Sequence, residues 1–77
     1  MNDEFVAEGK LAGLAKKFRT ASGKTRAQSA RDMGIKQPSI FHAEESPELT
    51  FVKLRKRMIE AYSGYRVEGP FYRLVEK

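Results

Sequence analysis

The feature that most constrains this chain is a break, marked by a glycine, between two short helical segments. The first opens at Thr25, whose hydroxyl can cap a helix, and Gln28 three residues on completes a capping box. It should reach Asp32 or Met33 and stop at Gly34, because glycine takes the left-handed backbone that follows a helix C-terminus without steric cost. Ile35 comes next, then Lys36-Gln37-Pro38-Ser39, with Ile40 and Ala43 at a spacing of three. Pro38 is tolerated in a first helical turn, where its missing N–H has no intrahelical partner to lose. A second short helix therefore runs from Gln37 to Glu45. The chain must reverse sharply at Gly34, and small Ala30 lets the two helices approach closely while Ile35 and Ile40 supply apolar contacts beneath the turn.

Around this pair the chain has two further helical segments and a tail. Leu11, Leu14, Ala15 and Phe18 recur at helical spacing, which predicts a first helix from about Asp3 to Ala21, ended by Ser22-Gly23. Ser46-Pro47-Glu48-Leu49 reads as a loop, and Thr50 as the cap of a fourth helix with the apolar stripe Phe51, Leu54, Met58 and Tyr62, supported by Val52 and Ile59. Ser63-Gly64 ends that helix. Tyr65-Arg66-Val67-Glu68 alternates as a strand does, Gly69-Pro70 breaks it, and Phe71 to Val75 is again β-prone, so 65–76 reads as one interrupted strand or a hairpin. The expected organisation is a helical domain over 1–64, its central motif at 25–45, and a β tail over 65–77. The tail carries too much apolar surface for a free terminus, and a lone strand lacks ladder partners. It is accordingly a candidate for dimerisation or for binding a partner protein.

Composition narrows the chemistry. Seventy-seven residues make one small domain, and fifteen Lys and Arg against ten Asp and Glu give a net charge of +5. That balance favours an anionic partner, of which nucleic acid is the commonest. With no cysteine, disulfides, thiolate metal sites and cysteine nucleophiles are excluded, and a single histidine, His42, is too few for a histidine-built metal site. Neither an enzyme active site nor a cofactor is expected. No apolar run approaches the ~20 residues of a membrane span, and the acidic Asn2-Asp3-Glu4 start does not read as a signal peptide, so a cytoplasmic protein without membrane contact is expected.

Two short helices joined at a glycine, the second with a basic and polar start, form the helix-turn-helix pattern, in which the second helix presents its first residues to the DNA major groove. The segment Thr25 to Glu44, TRAQSARDMGIKQPSIFHAE, resembles the lambda-repressor-like (Xre/Cro-type) helix-turn-helix family in the Thr25 cap, Ala30, Gly34, Ile35, the Gln-Pro-Ser start, Ile40 and Glu44. Arg19 and Gly23 also stand where that family commonly has a helix-one arginine and a loop glycine. The chain departs from the family at Ser29, Ala43 and Lys36, which replace a leucine, a larger aliphatic and a serine or threonine. The core beneath the motif is thinner as a result, and Phe18, Phe41 or Phe51 would have to fill it. Leu49 to Val67 further resembles small Xre-type antitoxins. The resemblance implies a mainly α, four- to five-helix domain with a short C-terminal β strand or hairpin. The function it implies is a transcriptional regulator that occupies double-stranded DNA as a homodimer, or alternatively an antitoxin that neutralises a cognate toxin and autoregulates its operon.

Candidate site residues follow from the motif. With Ile40 and Ala43 inward, Lys36, Gln37, Ser39 and His42 lie outward, as base-contacting groups or as an ordinary solvated face. Gln37 matches adenine bidentately. Lys36 and Ser39 could take base or phosphate, and His42 a guanine or a phosphate. Phe41, four residues after Gln37, faces either a thymine methyl or the core. Lys24 and Arg26 flank a helix N-terminus, where phosphate is favoured, and they are the candidate phosphate contacts. Lys53, Arg55, Lys56 and Arg57 read as a basic exposed face on helix four, with DNA or partner contact as the functional alternative. The resemblance also implies that Arg19 pairs with Glu44 and clamps helix one to helix three; the plainer alternative is two independent surface charges.

Overall fold

In a computed structural model, which describes residues 4–69 and 72–77, the first helix, α1, spans Leu11–Ala21 rather than starting near Asp3. The residues before it are used differently. Glu4–Phe5 form a short strand, β1, and Glu8–Lys10 a 3-10 turn that leads into α1. Phe5 and Val6 are β-prone, and the Val6 N–H donates to the Tyr72 carbonyl at 2.8 Å, a sheet bond that a helix there would forfeit. Asp3, Pro70 and Phe71, named above, lie outside the described residues.

The central pair folds as α2, Arg26–Met33, and α3, Gln37–Glu45. The Thr25 hydroxyl accepts from the Gln28 N–H at 3.1 Å while the Gln28 amide oxygen accepts from the Thr25 N–H at 2.8 Å, which completes the capping box. Gly34 has φ 71°, and the Ile35 N–H donates back to the Ala30 carbonyl at 3.0 Å, so the turn is a Schellman motif that only glycine enters without strain. The fourth helix, α4, spans Val52–Tyr62. Its first flanking residue is Phe51, which offers no side-chain cap, so Thr50 does not have the capping role expected of it.

The tail forms two strands, β2 (Tyr65–Glu68) and β3 (Arg73–Glu76), paired antiparallel. The ladder partner missing from the sequence reading is β1: the sheet order is β1-β3-β2, with Glu4 opposite Leu74. At the other edge, the Tyr65 N–H donates to Ser63 Oγ and the Val67 N–H to Glu60 Oε2, so the chain itself occupies donors that would otherwise recruit another strand. Val67 and Leu74 join Leu11, Ala15, Ala30, Met33, Ile40, Ala43, Met58 and Ile59 in one core, which makes the tail part of the same folded unit as the helices. Phe18 and Phe51 are half-buried and pack against that core; Phe41 does not. No described helix is long and apolar enough to cross a membrane.

Candidate nucleic-acid interface

Helix α3 has two unlike faces. Ile40 and Ala43 are wholly buried, while Lys36, Gln37, Phe41 and His42 are exposed and Ser39 is half-buried. Lys36 flanks the helix N-terminus in extended backbone, its side chain not used as a cap, and Pro38 sits in the first turn. The polar start of α3 is therefore presented to solvent while the rest of the helix is fixed from behind.

That fixing is done by arginines at the C-terminal half of α3. Arg19 grips Glu44 with two parallel bonds, Nε to Oε2 at 2.5 Å and Nη2 to Oε1 at 2.9 Å, and its Nη1 donates to the Lys24 carbonyl at 2.7 Å. Both residues are buried, so α1, the loop before α2, and α3 are tied together in a low-dielectric site where a bidentate pair is geometrically specific. Arg26 adds a second cation: its Nε donates to Glu44 Oε1 at 2.9 Å and its Nη2 to Glu45 Oε2 at 2.6 Å. The hydrogen bond to Glu44 holds the Arg26 guanidinium above its ordinary value. Lys16 also reaches Glu45, at 2.6 Å, and with Arg26 it keeps that carboxyl below the usual range.

Arg55 anchors the same end of α3 from α4, and by different chemistry. The residue is 0% exposed, and its guanidinium donates only to main-chain carbonyls: Nε to Ala43 at 2.8 Å, Nη2 to Ser46 at 2.7 Å, and Nη1 to Leu49 at 2.9 Å. Burial pushes it below its ordinary value, but a guanidinium remains charged at neutral pH. This corrects the reading of residues 53–57 as one exposed basic face. Arg55 is four residues after Phe51 and three before Met58, so it stands in the apolar stripe. That spacing was the signal available. The same Arg55 bonds tie the 46–49 loop to α4. Lys53 and Arg57 are exposed, Lys56 is half-buried, and Arg57 donates to the Met33 carbonyl at 2.9 Å, where it caps the end of α2.

Ser29, which stands where the family resemblance expects leucine, is fully buried and donates to Tyr62 Oη at 2.9 Å. Tyr62 in turn donates to Asp32 at 2.7 Å, so a polar residue in the core is satisfied from α4. Burial raises the Tyr62 hydroxyl above its ordinary value, and the Tyr62 bond, followed by Lys24, holds Asp32 below its own.

The remaining sequence candidates divide. Lys24 is half-buried and forms one long ion pair with Asp32, at 3.4 Å. Arg26 is committed to two carboxylates. The His42 ring lies parallel to Phe51, centroids 6.5 Å apart, with Nδ1 3.5 Å from Ser46 Oγ, and so leans toward the α3–α4 loop. Phe41 is 44% exposed, which corrects its expected use as core filling. Ala43 is sealed without it. Among the described residues no group of three or more His, Asp or Glu side chains is gathered as a metal site would need. No family model, curated protein or solved structure matches the chain.

Proposed function

We propose that this chain is a sequence-specific double-stranded DNA-binding regulator that acts by occupying an operator. The observation that carries the reading is α3 itself, anchored at Glu44 and Ala43 through buried arginines while Lys36, Gln37 and Ser39 stand at its free, N-terminal end. A recognition helix needs this division, since base contacts discriminate only when the backbone behind them is fixed. In this reading Gln37 takes the edge of an adenine, and Lys36 and Ser39 contact neighbouring bases or phosphates. His42 serves a base or phosphate farther along the groove. Phosphate attraction falls chiefly to Lys24 and Lys36, because much of the Arg26 charge is already offset by Glu44 and Glu45. Two copies on a near-palindromic site supply the length of sequence that one helix cannot read.

The test is a substitution at the reading end. Gln37→Ala should cost about 1–3 kcal/mol on the preferred duplex and blunt preference at one base pair, with thermal stability unchanged. A variant that discriminates among duplexes as the parent does would contradict the assignment.

A further inference from the structure

Phe41 is an exposed aromatic ring on a face that is otherwise polar, and it is held in place. The Arg26 guanidinium lies over it, 5.0 Å from the ring centroid, and that guanidinium is itself fixed by Glu44 and Glu45. The His42 ring meets it edge-on at 5.5 Å. The core does not require it, since Ile40 and Ala43 are wholly buried while Phe41 remains 44% exposed. The ring thus presents an apolar surface of defined orientation on the helix face that carries Gln37, and the surroundings point to what it could meet. Phe41 follows Gln37 by four residues, so the two share a helix face about 6 Å apart along the axis, roughly two base-pair steps. In the major groove the thymine C5-methyl is the apolar group that a base edge offers.

We infer that Phe41 is a specificity-determining residue whose ring covers a thymine methyl within about two base pairs of the base read by Gln37. The inference rests on the DNA-binding reading and adds an identity for one base. Arg26 is then a positioning residue: its stacking and its two carboxylate bonds set the ring rather than clamp a phosphate.

The experiment begins by enriching a preferred duplex from a randomised pool with the full chain. Each thymine of the enriched site is then replaced in turn by deoxyuridine, which removes only the methyl group. One thymine per half-site should lose about fourfold in affinity, the worth of burying one methyl-sized group. Phe41→Ala should bind the thymine and deoxyuridine duplexes equally at that position while still folding, since the side chain lies outside the buried core and loses only its contacts with Arg26 and His42. An enriched site indifferent to every thymine methyl overturns the inference, as does sensitivity that persists in Phe41→Ala. A pool from which nothing is enriched overturns the DNA-binding reading as well, so the two failures are distinguishable. The deoxyuridine series on the parent chain needs no variant to fold.

Discussion

Arg19 and Arg55 are both buried, and both hold the C-terminal half of α3, yet they do so by opposite means. Arg19 meets a carboxylate, Glu44, in a bidentate pair. Arg55 meets no acid in its bonds and is satisfied by the carbonyls of Ala43, Ser46 and Leu49. The first is chiefly a contract between side chains, with Arg26 as a second donor to Glu44 and one Arg19 bond to the Lys24 carbonyl, and substitution can dissolve the pair on both sides. The second is between a side chain and the main chain, and the main chain cannot be substituted away. Together they fix the C-terminal half of α3, while the polar side chains of Lys36 and Gln37 at its other end are exposed.

The largest expected effect is at Arg55. Arg55→Ala leaves the buried Ala43 carbonyl without a donor, at about 1–3 kcal/mol, and empties the space of a fully buried side chain, so a loss of about 4 kcal/mol is expected in urea unfolding. Arg55→Lys should recover only part, because an ammonium lacks the planar fork that spans separate acceptors. No second substitution should restore the rest.

Glu44→Ala should cost about 3 kcal/mol, since it leaves the Arg19 charge buried without its acid. Here the outcome should differ from Arg55: Arg19→Met combined with Glu44→Leu should regain most of that loss, as apolar replacement of both members of a buried pair commonly does. A double variant no more stable than the single would erase the distinction between the two anchors.

The smallest effect is set by acid. Asp32, Glu45 and Glu68 are all held below their ordinary values, by Tyr62, Lys16 and Arg66 respectively as the leading partners. Carboxyls depressed in the folded state contribute stability that is complete above their unfolded values, near pH 4, and is lost as pH falls through the lower folded ones. A melting series from pH 7 to pH 2 should therefore decline below about pH 4. The Arg55 bonds involve no group that titrates there, so the penalty of Arg55→Lys should be the same at both ends of the upper range, pH 7 and pH 4.

The contrast also explains what could be read in advance. The capping box at Thr25 and the turn at Gly34 are local chemistry, and residue type at fixed spacing is enough to locate them. The Arg19–Glu44 pair was reachable through the family resemblance and complementary charge. Arg55 is not legible in this way, because its partners are carbonyls, which every residue carries and no sequence marks. Its place in the stripe between Phe51 and Met58 is visible in the spacing, but a cation there reads as surface. The expected first helix is too long for a related reason: the strand at Glu4–Phe5 depends on the ladder offered by β3, about seventy residues away in the chain. Phe41 was ambiguous because helical spacing alone does not say whether small Ala43 needs a neighbour to seal it.

The central claim is that the free end of α3 reads duplex DNA, and the most direct measurement is a titration of the enriched duplex across a range of salt concentration. The account predicts binding at low salt that weakens by orders of magnitude as salt rises, with a log–log slope of about −0.9 per phosphate contacted, and weaker binding still for Lys24→Ala together with Lys36→Ala. No binding to any duplex at low salt, or binding whose strength ignores both salt and these lysines, would contradict it.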